Sequence, residues 1–93
     1  GGARVYATQV ERGGAELRAT FAVVDGKLED IAFASAALSA RLRRRLAAAL
    51  DGLAAARAAL LRAARAAMRA AAGPLRAEDV VECIMRSERG RAT

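Results

Sequence analysis

Two stretches near the start of the chain alternate apolar and polar residues, and the long stretch after them does not. In residues 16–24, Leu17, Ala19, Phe21 and Val23 fall on one side while Glu16, Arg18 and Thr20 fall on the other, the period-two pattern of a half-buried strand. Asp25 and Gly26 interrupt it, and this is the pair a two-residue type I′ hairpin turn takes, because both central residues need positive φ. Residues 27–34 form the next strand, with Ile31 and Phe33 continuing the buried face. Residues 4–10 alternate more weakly, Val5, Ala7 and Gln9 against Tyr6, Thr8 and Val10, as suits a strand that is only partly covered, and Gly13 and Gly14 turn it.

After Ala34 the period lengthens from two to about 3.6. Leu38, Leu42, Leu46 and Leu50 recur at every fourth residue and line one helical stripe, with Ser35 or Ser39 as the N-cap and Asp51 and Gly52 as the stop. A second helix is predicted over residues 53–72, with Leu53, Leu60, Leu61, Ala64 and Met68 facing inward and Gly73-Pro74 ending it. A third spans residues 77–87: Glu78 and Asp79 sit in its first turn, where negative charge suits the helix dipole, and Val81, Ile84 and Met85 form its buried stripe. Residues 88–93 read as a frayed tail. The expected fold class is therefore α+β: a three-stranded antiparallel β-meander followed by two to three α-helices packed on one face. Residues 1–93 make a single small domain with its core within 4–87.

Length limits what such a domain can do. A chain of 93 residues buries roughly 60–65% of its unfolded surface, enough for a modest core and little more. The 16 basic residues, all arginine except Lys27, outnumber 10 acidic ones, and the net charge of +6 favours anionic partners. Cys83 is the single cysteine, so no intramolecular disulfide can form, and a reducing cytoplasm is the expected setting. No run approaches the ~20 apolar residues of a membrane span, and the amino end lacks the basic-then-apolar order of a signal peptide. No membrane partner is expected.

The chemistry-bearing residues are sparse. Histidine is absent, which removes the commonest general base and the commonest metal ligand. One cysteine without histidine makes none of the usual zinc sites, and Cys83, between Glu82 and Ile84 on a helix, reads as a small buried hydrophobe. Asp25, Glu29 and Asp30 crowd a hairpin end with nothing apolar nearby to raise a carboxyl pKa, the composition of a solvated tip. Neither glycine pair opens a helix on a Gly-rich loop, so neither forms a phosphate cradle. No catalytic, cofactor-binding or metal-binding residue is assigned to the chain itself.

Arginine is the remaining signal. Arg41, Arg44 and Arg45 share one side of the first helix, and Arg62, Arg65 and Arg69 form a stripe on the second. Stripes of this kind can follow a phosphate backbone. Only three aromatic residues are present, two of them on the buried sheet face, so no stacking platform accompanies the charge. The stripes read first as a solvated face, next as a protein-partner surface, and last as a basic nucleic-acid-binding module. A homodimer burying the alanine-rich helix face is a further possibility.

The order of elements carries a family resemblance. A strand and turn, then Leu17 to Val24, then Asp25-Gly26-Lys27-Leu28-Glu29-Asp30-Ile31, a leucine-spaced helix closing at Leu50-Asp51-Gly52, and Glu78-Asp79-Val80-Val81 opening the last helix together resemble the C-terminal domain of lipoate-protein ligases. In some archaea that domain is similar to a separate short accessory chain. The likeness covers about residues 4–87 and lies in pattern and turn positions. The family's Gly-Asp-Phe-Phe stretch after the third strand corresponds here to Phe33-Ala34-Ser35-Ala36-Ala37, a departure from its residues. The resemblance implies a non-catalytic accessory subunit docking on a larger catalytic chain, which binds ATP and lipoate, forms lipoyl-AMP and passes the lipoyl group to a lysine of an acceptor protein. It implies no cofactor on this chain alone, and it marks Phe33, Ala34, Ser35 and Ala36 as the contact region. Asp25 to Phe33 also resembles the strand before the first cysteine of iron–sulfur scaffold proteins, whose cluster-binding cysteines are missing here.

Overall fold

The computed structural model describes residues 4–90. Three strands, β1 (Arg4–Arg12), β2 (Ala15–Val24) and β3 (Lys27–Ala34), form one antiparallel sheet in the order β1-β2-β3. Three helices follow, α1 (Ala40–Leu50), α2 (Arg57–Ala67) and α3 (Ala77–Gly90). α1 packs on β3, α3 packs on β1 and β2, and α2 bridges α1 and α3. The fold is a small α+β meander with its helices on one face, as the period change at Ala34 predicts.

Both hairpins are two-residue turns. Asp25 and Gly26 take φ of 53° and 76°, the left-handed pair of a type I′ turn. The first turn uses Gly13 and Gly14 at φ 57° and 81°, and a Cβ on Gly13 would stand 3.3 Å from Pro74 Cβ, so the turn packs tightly under the α2–α3 connection. Tyr6, Thr8 and Val10 face inward from β1 while Val5, Ala7 and Gln9 face out. Leu17, Ala19 and Phe21 of β2 are buried with Leu28, Ile31 and Phe33 of β3. Tyr6 stacks on Phe21 with ring centroids 5.4 Å apart.

The β2–β3 register shifts between Thr20 and Ala22, where the single residue Phe21 stands opposite both Asp30 and Ile31. This is a β-bulge, and Asp30 occupies it at φ 54°. The extra residue lets Leu28 and Ile31, three apart, both reach the inner face. The sequence pattern identifies Ile31 and Phe33 but gives no place to the bulge.

α1 begins where Ser39 accepts from the Leu42 backbone N–H at 3.1 Å, so Ser39 rather than Ser35 is the N-cap. Leu46 and Leu50 are fully buried, Leu42 half-buried, and Leu38 is buried just before the helix. The second helix is shorter than expected: it starts at Arg57 and ends at Ala67 rather than spanning 53–72. The backbone bonds of residues 52–55 explain the loss at its start. Gly52 N–H donates to Leu28 O at 2.7 Å, Leu28 N–H to Leu53 O at 2.8 Å, and Ala55 N–H to Gly26 O at 2.9 Å, so this alanine-rich run forms an isolated antiparallel bridge, Ala54 to Lys27, against the edge of β3. Pairing with the sheet outweighs the intrinsic helix preference of leucine and alanine, which tertiary context can override. α3 runs three residues beyond the predicted end at Ser87, and residues 91–93 of the expected tail lie outside the described residues. Asp79 Oδ2 accepts from the Arg76 backbone N–H at 2.8 Å, which satisfies a donor at the start of α3. No helix among the described residues is long and apolar enough to cross a membrane.

Candidate functional site

The segment joining β3 to α1 stands at the end of the sheet. Its four sequence-identified residues divide there: Phe33 is buried in the core, Ser35 is half-buried, and Ala34 and Ala36 are exposed. Surface contact in this segment therefore falls to Ala34 and Ala36, while the Phe33 ring anchors them from below. Ser35 Oγ accepts from Ala37 N–H at 3.1 Å, and Leu38 N–H donates to Ser35 O at 3.3 Å, two bonds that fold the segment into a tight turn. Arg43 closes it. Its Nη1 donates to Ser35 O at 3.2 Å and to Leu38 O at 2.6 Å, so a half-buried guanidinium binds the turn to α1. Sequence reasoning singled out Arg41, Arg44 and Arg45 and passed over Arg43, although Arg43 lies four residues after the Ser39 cap on the turn that faces the loop.

Beside this turn lies an open hollow of about 660 Å³, lined by Gly14, Ala15, Glu16 and Arg18 from the first hairpin and Ala34 to Ala37 from the loop. Its wall is mostly small side chains and backbone, rimmed by the Arg18–Glu16 ion pair at 3.3 Å. Its one carboxylate, Glu16, is paired with Arg18, and its one hydroxyl, Ser35 Oγ, accepts from Ala37 N–H.

The arginines occupy two separate surfaces. Arg62, Arg65 and Arg69 line a shallow groove of about 490 Å³ along α2, with Ala58, Leu61 and Ala66 as its apolar floor. Arg65 is shared with α3, donating to Glu78 Oε2 at 2.9 Å, and this bond is the main reason the Glu78 carboxyl ionises below its ordinary value. Arg41, Arg44 and Arg45 are all exposed on α1, and Arg44 lines a different hollow, of about 280 Å³, with Ile31, Ala32, Phe33, Ala40, Arg43 and Ala47. The two sets thus do not share a groove. Other arginines are tied locally: Arg12 to Asp79 at 3.3 Å, Arg57 to Glu82 at 3.6 Å and Arg86 to Glu82 at 3.8 Å.

Cys83 is fully buried, as a small hydrophobe should be. Thr8 Oγ1 lies 3.4 Å from its sulfur and Leu17 O lies 3.7 Å away, while burial pushes the thiol above its ordinary pKa. Asp25, Glu29 and Asp30 are exposed at the hairpin end. Among the described residues no three metal-ligating side chains cluster. Comparison with family models, with curated proteins and with solved structures gives no match to this chain.

Proposed function

We propose that the chain is a non-catalytic accessory subunit of a lipoate-protein ligase, docking on a larger catalytic chain that activates lipoate with ATP and transfers it to an acceptor lysine. The supporting observation is the placement of the element boundaries. The Asp25-Gly26 turn, the end of α1 at Leu50 with Asp51-Gly52 after it, and the opening of α3 at Ala77 with Glu78 and Asp79 in its first turn coincide with the positions on which the family resemblance rests. The docking surface in this reading is the hollow beside Ala34 and Ala36, where a rigid turn is presented on a wall of small residues. ATP, lipoate and the reacting groups belong to the catalytic chain.

The test is ATP- and lipoate-dependent lipoylation of an acceptor domain by the candidate catalytic chain, with and without this one. Activity that needs both chains is the expected result, and Ala36→Arg, which fills the rim of the hollow, should reduce it. Unchanged activity in the presence of this chain overturns the reading. A second reading, a nucleic-acid-binding module, is favoured by one observation, the stripe of Arg62 and Arg69 that no ion pair occupies among the described residues.

A further inference from the structure

The two edges of the sheet are built differently. β3 carries the bulge at Asp30, and residues 52–55 pair with its first residues, two devices that keep foreign strands off an edge. β1 has neither. It pairs with β2 without a shift from Arg4↔Val23 to Arg12↔Ala15, and its residues from Val5 to Val10 include no charge and no proline. Val5 is also a large hydrophobic left 76% exposed.

Backbone parity shows which groups are open. Arg12 and Ala15 flank a two-residue turn, so they exchange both bonds, and alternation aims the bonds of Val10, Thr8, Tyr6 and Arg4 at β2. Those of Glu11, Gln9, Ala7 and Val5 point outward. Two side chains agree with that parity: Glu11 O accepts from Arg12 Nη1 at 2.8 Å, and Gln9 O accepts from Arg86 Nη1 at 3.3 Å. Toward the turn, then, the outward carbonyls are taken. Among the described residues of β1, only Val5 and Ala7 keep both an outward N–H and an outward C=O without a partner.

We propose that β1 is a dimerisation edge, onto which β1 of a second copy of this chain adds antiparallel, with Val5 opposite the second copy's Ala7 and the two-fold axis at Tyr6. The occupant follows from the spacing of the open groups. Residues two apart, each with one donor and one acceptor, are satisfied by their own symmetry mates through four hydrogen bonds. A longer foreign strand running toward Gly13 would meet the guanidinium groups of Arg86 and Arg12 at the carbonyls they already hold. In the symmetric register Tyr6 meets the second copy's Tyr6 as a non-hydrogen-bonded pair, about 4.5 Å between Cα atoms, where aromatic side chains interact best. No like charges are opposed between Val5 and Ala7. The net charge of +6 on each copy makes association stronger as salt rises, the reverse of nucleic-acid binding. This inference does not depend on the accessory role, since no residue of β1 lines the hollow beside Ala36.

Sedimentation equilibrium from about 10 µM to about 1 mM, a range that reads weak association, tests it directly. The expected mass climbs from 9.7 kDa toward twice that value. Ala7→Pro removes an N–H that no internal bond uses, and Val5→Lys places a charge on the edge at an exposed position; each should raise the dissociation constant by about tenfold or more with an unchanged far-UV spectrum. Should Ala7→Pro perturb folding, Val5→Lys decides. Tyr6→Cys should close a disulfide between copies under oxidation, and Gln9→Cys should not. A mass fixed at 9.7 kDa throughout, or Val5→Lys associating as tightly as the unsubstituted chain, overturns the proposal.

Discussion

Asp51 Oδ1 accepts a hydrogen bond from the backbone N–H of Asp30 at 3.2 Å, so the residue that ends α1 also holds the bulge in β3. Asp30 is kept at φ 54°, a conformation that costs a residue with a Cβ some free energy. Asp51→Ala leaves the Asp30 N–H to water and should lower stability by about 0.5–1 kcal/mol, the usual net worth of one solvent-exposed bond. Asp30→Gly should raise it by a similar amount by relieving the left-handed backbone. Urea unfolding of both variants checks the pair, and a loss in Asp30→Gly would mean that its side chain matters more than its backbone.

Arg43 is the side chain on which the turn beside the candidate docking hollow depends. Two carbonyls, Ser35 O and Leu38 O, lose their guanidinium donor in Arg43→Ala, which should cost about 1–2 kcal/mol for a half-buried, charge-assisted pair of bonds. Arg43→Lys should recover little, because one ammonium cannot reproduce the planar fork. Denaturant midpoints give the stability. Amide exchange at Ala37 and Leu38 shows whether the turn opens locally, and protection equal to that of the unsubstituted chain would exclude this role.

Particular residues show what the sequence could reveal and what it could not. Asp25 and Gly26 set a turn through their own φ preferences, and the leucines of α1 set a helix through their spacing; both signals are local and both are legible. The run at residues 53–56 gives a misleading local instruction, because leucine and alanine favour helix, and bonds to Gly26 and Leu28 override it. The bulge left one trace, the spacing of three between Leu28 and Ile31 inside a strand, which alternation alone overlooks. Arg43 shows the same limit from another side. Four arginines within five positions look alike in sequence, and only the position of the preceding loop selects the one that binds it. The candidate docking hollow is assembled from the first hairpin and the β3–α1 loop, about twenty residues apart, so no pattern within either segment predicts it.

The Glu78 carboxyl ionises below its ordinary value of 4.5, first because Arg65 donates to it at 2.9 Å and then because it accepts from its own backbone N–H. Its contribution to stability is therefore present above the unfolded value and disappears as the pH falls through the folded one. Carboxyl-carbon NMR should place its midpoint below 4.5, and Arg65→Ala should move that midpoint upward. A midpoint indifferent to Arg65 would assign the shift to the start of α3 instead.

Should the α2 groove take nucleic acid, Arg62 and Arg69 carry the binding, since Arg65 is engaged by Glu78. Each replacement by alanine should then reduce the dependence of log affinity on log salt by about one. Arg41→Ala, on the other helix, should leave that slope nearly unchanged, because no common groove joins the two surfaces. Fluorescence anisotropy with a short duplex across a salt series distinguishes these outcomes, and equal effects at Arg41 and Arg62 would indicate diffuse attraction to a basic protein.

Cys83 titrates above its ordinary value of 9.0 because burial disfavours the thiolate, with the nearby Thr8 hydroxyl opposing that shift only in part. Since the folded value exceeds the unfolded one, the stability linked to this group is complete below about 9 and is lost as the pH rises toward the folded value. The comparison that isolates Cys83 is with Cys83→Ala, whose urea midpoint should fall less between pH ~8 and pH ~10. Thiol labelling offers an independent reading: at neutral pH the buried sulfur should react only as fast as the chain opens, with a rate that climbs with urea. Fast labelling of the native chain would mean that α3 lifts from the sheet without global unfolding, and the alkaline loss of stability would then vanish with it.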